Sequence, residues 1–149
     1  MSPNLRAFLE MIAWSEGTSR IAGSDNGYNV LVGGKLFAGY ADHPRVLVQV
    51  NKNLKSTAAG RYQLLSRFFD AYKKQLKLPD FSPASQDAIA IQQIRECRAL
   101  DDIEAGKFSV AVGKCARIWA SLPGAGYGQH ENTLVALQGA YKQAGGALA

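Results

Sequence analysis

At 149 residues and 47% hydrophobic, the chain is long enough to bury one core and too short for two comfortable ones, so residues 1–149 read as a single domain. Its 17 basic against 12 acidic residues leave a formal charge of +5, which favours a polyanionic partner without choosing among nucleic acid, an acidic envelope and a cell wall. No stretch reaches the roughly 18 uninterrupted apolar residues of a membrane span, and Cys97 and Cys115 lack CxxC spacing and His neighbours, so they read as two reduced, partly buried thiols rather than metal ligands.

The elements follow in chain order. Ser2-Pro3 is a helix start, and Leu5, Phe8, Leu9, Ile12 and Ala13 repeat at helical spacing. No basic segment beyond Arg6 and no small-x-small site accompanies this apolar run, so a cleavable signal is not expected. "YNVLVGGKLF" from Tyr28 reads as a hairpin turning at Gly33-Gly34, and "RVLVQVN" alternates Val46, Val48 and Val50 as a third strand. After "STAAG", helical spacing returns with Tyr62, Leu65, Phe69, Tyr72 and Leu76. Ser82-Pro83 opens a helix carrying Ala88, Ile91 and Ile94, Asp101 with Glu104 fits a capping box, and Ser109 is placed as the cap of a helix carrying Val112, Cys115, Ala116 and Trp119. A glycine-rich loop, "LPGAGYG", precedes a last helix that starts near His130, carries Leu134, Leu137 and Tyr141 and ends at Gly145-Gly146. The class is α+β, mainly helical with one small antiparallel sheet.

Two stretches suggest chemistry. Glu16 closes an otherwise apolar run, and at about 100° per residue it projects within roughly 20° of the direction of Leu5 and Leu9. An acid on the core stripe is desolvated, and the C-terminal end of a helix adds a negative partial charge, so both raise its pKa toward the range of a general acid. The alternative is a Glu that curls into solvent from a frayed helix end. "KSTAAGRYQLL", from Lys55 to Leu65, joins small residues to Arg61, Tyr62 and Gln63 in an expected first helical turn. Small side chains let a ligand approach the backbone, Ser56, Arg61 and Gln63 offer hydrogen bonds, and Tyr62 offers a flat apolar face. The mixture suits a sugar; an ordinary strand-to-helix connection accounts for it equally.

The chain resembles the lambda-type phage endolysins, lytic transglycosylases with a lysozyme-like fold. The blocks that carry the resemblance are "RAFLEMIAWSEGT", "GYNVLVGGKLF", "DHPR", "LKSTAAGRYQLLSRFFDAYKKQL", "DFSPASQDA" and "IWASLPGAGYGQ", in that order and over nearly the whole chain. The resemblance implies a small sheet beside an active-site cleft, Glu16 as the catalytic acid, and a glycan groove lined by the "STAAGRYQ" segment and by Tyr127. The segment between Gly17 and Gly27 is shorter than the family pattern, Asn26 stands where a His precedes the Gly-Tyr pair, and the tail beyond His130 diverges.

The implied substrate is peptidoglycan, whose negative charge suits a basic protein. Breaking its β-1,4 bond requires protonation of the glycosidic oxygen. A hydrolase usually brings a second carboxylate, whereas by the family's mechanism the muramic acid C6 hydroxyl attacks C1 and gives a 1,6-anhydro end, so one carboxyl suffices. If the protein is instead a muramidase, Asp42 in "YADHPR" is the first candidate partner and Asp25 the next, although both sit in turn-like sequence; Asp70 and Asp87 read as solvated or capping charges. His43 and His130 read as surface or hydrogen-bonding residues, and Trp14 and Trp119 as core. No GxSxG elbow or nucleic-acid motif is present, and a non-catalytic wall-binding module would not need Glu16. No cofactor is expected. The resemblance further implies a monomer made in the host cytoplasm, without membrane insertion, that reaches the periplasmic wall when a holin opens the inner membrane.

Overall fold

The computed structural model describes residues 1–128 and 130–149. Gln129, the last residue of the "IWASLPGAGYGQ" block, lies outside the described residues. The fold is α+β and mainly helical, with a two-stranded antiparallel sheet. The helices are α1 (Pro3–Glu16), α2 (Ser66–Leu76), α3 (Pro83–Glu96), α4 (Leu100–Glu104), α5 (Phe108–Cys115) and α6 (Leu134–Gln143), and the strands are β1 (Val48–Asn51) and β2 (Leu54–Ser56). Two compact units emerge, one from Met1–Glu16 with Ala90–Ala149 and one from Gly17–Ile89.

In the first unit, α1 forms where its periodicity and its Pro3 start predict it. The Ser2 hydroxyl accepts from the Leu5 N–H at 3.1 Å and the Ser2 carbonyl from the Arg6 N–H at 3.0 Å, which satisfies donors that a helix start leaves open. α1 buries Phe8, Leu9, Met11 and Ile12 and packs against α4 and α6. Phe8 meets Phe108 edge-on at 6.0 Å between ring centroids, and Phe108 lies 4.6 Å from the Tyr141 ring. Leu137, Ile103, Val112 and Leu122 complete this core. Fully burying side chains of this size is worth about 1.5–3 kcal/mol each. Cys97 and Cys115 are buried free thiols, and the Arg117 Nε donates to Cys97 Sγ at 3.5 Å.

The second unit gathers Leu31, Ala59, Leu64, Phe69, Phe81 and Ile89, with Phe37, Tyr72, Leu76 and Leu78 packed around them. The expected hairpin from Tyr28 is reduced to a single bridge between Val30 and Leu36, turning through Gly33 and Gly34 at φ of 90° and 101°. The regular sheet is instead β1 against β2, so the third strand is real but shorter than the valine pattern and its partner is Leu54–Ser56. Val46, Leu47 and Val50 stay exposed, so their alternation does not mark a buried face.

Four other expectations are corrected at helix ends. α2 begins at Ser66, and Arg61, Tyr62 and Gln63 belong to a tight turn closed by the Ala59–Leu64 backbone pair at 3.1 and 2.9 Å. Asp101 caps nothing, since Ala99 stands at the start of α4 and Glu104 accepts from the Ser2 hydroxyl at 2.6 Å. Ser109 lies inside α5, which starts at Phe108 after Lys107, and α6 starts at Leu134 with the Thr133 hydroxyl accepting from the Ala136 N–H at 3.2 Å. His130 therefore precedes α6 without joining it. Among the described residues, no helix is long and apolar enough to cross a membrane.

Candidate active site

Glu16 is the last residue of α1, and Gly17 follows it at φ 83°, a left-handed conformation that ends helices. Glu16 is partly buried, and burial pushes its carboxyl up from 4.5 to about 7; the opposing influence is a hydrogen bond from Ser121. The Ser121 hydroxyl donates to Glu16 Oε2 at 2.5 Å. Behind it, Ser121 Oγ lies 2.8 Å from Ser15 Oγ, and the Asn132 amide donates to Ser15 Oγ at 3.0 Å and to the Ser15 carbonyl at 3.1 Å. A carboxyl that titrates near neutrality can deliver a proton and later recover one.

Of this arrangement only Glu16 is legible in the sequence; Ser121, Ser15 and Asn132 are not. Ser15 precedes the acid directly, but Ser121 and Asn132 lie 105 and 117 residues from their partners, beyond any periodicity. The "LPGAGYG" loop that follows Ser121 is held by Glu131, whose carboxylate accepts from the Gly124 and Gly126 N–H groups at 3.0 and 3.1 Å. Those donors hold the Glu131 carboxyl below the usual carboxylate range. Tyr127 stands on the same loop at 55% exposure, with its phenol donating to the Arg117 carbonyl at 2.7 Å.

The remaining expected contact residues lie in the second unit. Ser56 ends β2, half-buried, and its hydroxyl accepts from the Ala58 N–H at 3.1 Å. Gln63, also half-buried, sits at φ 55° and its amide donates to the Gly60 and Val30 carbonyls at 2.9 and 3.3 Å. Arg61 and Tyr62 are 3% and 5% exposed, so they underlie the turn rather than offer broad faces to a ligand. Arg61 donates to the Tyr62 phenol at 2.9 Å and to the Asn26 carbonyl at 3.0 Å, and its guanidinium lies over the Tyr28 ring. The phenols of Tyr62 and Tyr28 donate to Asp87 Oδ1 at 2.6 and 2.9 Å, so Asp87 anchors this network and is not a capping or solvated charge. Gln86 accepts from the Arg61 N–H at 2.9 Å and packs so closely on Gly60, at φ 83°, that a side chain at position 60 would strike it.

Asp42 is exposed and paired. Arg45 Nε donates to it at 2.9 Å, which lowers its carboxyl below the ordinary value, and the same guanidinium reaches Asp70 at 2.5 Å. Asp25 accepts from the Tyr40 phenol. His43 is 2% exposed, accepts from the Arg45 N–H at Nδ1, and therefore donates from Nε2 to the Leu64 carbonyl at 2.8 Å. Trp119 is buried and Trp14 partly buried. Among the described residues, no group of three His, Cys, Asp or Glu side chains could hold a metal ion.

The whole chain superposes on a bacteriophage lambda lysozyme complexed with a chitohexasaccharide, with a TM-score of 0.97, 56% identity and 98% of that chain covered. It superposes equally completely on lysozyme from bacteriophage lambda, with a TM-score of 0.93 and 54% identity. The fold and its likeness to these lysozymes define a lysozyme-type enzyme. At the sequence level, residues 6–148 match the family model described as Endolysin. The chain is 58% identical to the endolysin of Escherichia phage lambda over 96% of its own length and 92% of that protein, and 51% identical to the endolysin of Escherichia phage P2 over 96% and 93%. It belongs to the phage endolysin family.

Proposed function

We propose that the protein is a lytic transglycosylase that cleaves the β-1,4 bond between N-acetylmuramic acid and N-acetylglucosamine in peptidoglycan, with Glu16 as both acid and base. The observation that carries this reading is the partly buried Glu16 carboxyl at the end of α1, met by the Ser121 hydroxyl at 2.5 Å, where burial pushes it up to about 7. In the first step Glu16 gives its proton to the glycosidic oxygen, the C1–O bond breaks, and its electron pair stays on the departing oxygen. Positive charge develops at C1, where the substrate's own N-acetyl group can stabilise it. In the second step the muramic acid C6 hydroxyl bonds to C1 and its proton returns to Glu16. The balance needs no water and no second carboxylate. Asp42, the first alternative for a hydrolase, is committed to Arg45, which supports the one-carboxyl reading.

Ser56, Gln63 and Tyr127 are proposed to contact the glycan, with Arg61 and Tyr62 supporting the turn that presents Gln63. The chitohexasaccharide bound by the similar lambda lysozyme is a β-1,4 N-acetylglucosamine polymer and supports a sugar ligand here. In this reading the chain works as one monomeric catalytic domain, is made in the host cytoplasm and depends on a holin to meet the wall. Mass spectrometry of fragments from digested Gram-negative peptidoglycan, before and after borohydride reduction, tests the reaction. Fragments one water lighter that resist reduction are expected; reducible muramic acid ends would make the protein a hydrolase.

A further inference from the structure

The direction of the hydrogen bonds behind Glu16 can be worked out by counting protons. The Ser15 carbonyl only accepts, so the Asn132 atom facing it at 3.1 Å is the NH₂ nitrogen, and the same nitrogen donates to Ser15 Oγ at 3.0 Å. Ser121 has one hydroxyl proton, and it is directed at Glu16 Oε2. The 2.8 Å contact between the two serine oxygens must then be donated by Ser15. Asn132 is held in place by its own backbone N–H, which donates to the Ser121 carbonyl at 2.8 Å. The sequence Asn132, Ser15, Ser121, Glu16 is thus a chain of donors that runs one way, and it ends on one particular carboxylate oxygen.

We propose that this chain keeps Glu16 Oε2 an acceptor in both protonation states, so that the proton Glu16 delivers and recovers is carried on Oε1. The proposal rests on the acid–base reading of Glu16 and makes Ser121, Ser15 and Asn132 positioning residues. The opposite arrangement, a proton on Oε2 donated to Ser121, turns the Ser121 hydroxyl back toward Ser15. Ser15 Oγ would then accept from both sides, and its own proton would have to leave the chain for another acceptor in a residue only 6% exposed. Donors aligned toward Glu16 also favour the carboxylate and so offset part of the desolvation. An acid that must become a base within one reaction needs such an offset, because burial alone would hold its proton too firmly.

Several charged groups on the elements around α1 are paired away from Glu16. Glu104 of α4 accepts from Ser2 at the opposite end of α1, and Asp102 pairs with Lys114 at 2.6 Å. Arg117 donates to the Glu96 carbonyl and to Cys97, Glu131 accepts from Gly124 and Gly126, and Lys142 lies in the last turn of α6. Glu10 sits on α1 itself, and His130 precedes α6. Among the described residues, burial raises the Glu16 carboxyl and the Ser121 hydroxyl opposes it.

The test uses the full chain without substrate, labelled with ¹³C at glutamate side-chain carboxyls, the Glu16 resonance being assigned by its loss in Glu16→Gln. The titration midpoint is expected to rise by roughly one unit in Ser121→Ala, to rise by less in Ser15→Ala although Ser15 does not touch the carboxyl, and to return in Ser121→Thr. A Ser15→Ala midpoint equal to wild type would overturn the chain, as would an unmoved midpoint in Ser121→Ala. Neutron diffraction of the wild type below about pH 6 keeps the proposal testable if a variant does not fold. It should place the deuteron on Oε1, and a deuteron on Oε2 overturns the assignment. Neither readout requires turnover, so an inactive protein with the predicted titration would remove the proposed function and leave the chain standing.

Discussion

The Tyr62 phenol donates to Asp87 Oδ1 at 2.6 Å while accepting from Arg61 at 2.9 Å, so one hydroxyl joins a buried guanidinium to the carboxylate of α3. Tyr62→Phe removes that hydroxyl and leaves both charged groups one partner short. A loss of about 1–3 kcal/mol in urea unfolding is expected. Because Tyr62 is 5% exposed, the affinity of the folded variant for a chitooligosaccharide should change little. An affinity loss without a stability loss would make Tyr62 a direct ligand contact.

Glu16 should cost the fold stability. Its folded pKa of about 7 lies above the ordinary 4.5, so between these values the native state holds a proton that the unfolded chain has lost. Stability then falls as pH rises through that window, by roughly 3 kcal/mol in total. Glu16→Gln carries no such dependence. Unfolding curves should show the variant more stable than wild type at about pH 8, with the difference shrinking toward pH 4.5, while lytic activity is abolished. The wild type's activity should decline on the alkaline side near 7 as the acid form is lost.

His43 predicts the opposite pH sign. Burial lowers its pKa, and its neutral form bridges the Arg45 N–H and the Leu64 carbonyl between the Phe69 and Phe81 rings. Below about 6.5 the unfolded chain takes up a proton that the native state resists, so this contribution is lost as pH falls. His43→Ala should destabilise the protein by about 2–4 kcal/mol at neutral pH and flatten the acid limb of its stability profile. Calorimetry across pH 5 to 8 reads both.

Tyr127 is the exposed aromatic of the glycine-rich loop, and Glu131 pins the backbone on either side of Ala125. Tyr127→Ala should weaken chitooligosaccharide binding several-fold and leave the melting temperature within about a degree or two, since exposed substitutions usually change stability by less than about 0.5 kcal/mol. Glu131→Gln should weaken binding less than Tyr127→Ala. Calorimetric titration with scanning calorimetry on the same samples separates the two effects, and an unfolded Tyr127→Ala would make that residue part of the core.

Legibility in the sequence follows from the range of the forces involved. α1 and its acid are readable because a 3.6-residue period and a Pro3 start are local, and they place Glu16 at the end of the buried stripe. Tyr62 misled because it falls on the helical spacing of Phe69 and Leu76, yet Gly60 and Gln63 take positive φ and Gln86 of α3 holds the segment as a turn. Asp101 misled because a capping motif needs a free helix start, and the chain enters α4 at Ala99. Ser121 could not be read because its bond to Glu16 is made by tertiary packing across 105 residues.

In the proposed reaction one carboxyl, Glu16, breaks the glycosidic bond without water. Digestion of purified peptidoglycan in H₂¹⁸O, followed by mass spectrometry of the new muramic acid ends, separates this reaction from attack by water. No ¹⁸O is expected at those ends for the wild type, with the same unlabelled products at undiminished rate for Asp42→Asn. One ¹⁸O atom per cleaved bond would show that water is the nucleophile and would contradict the proposed reaction.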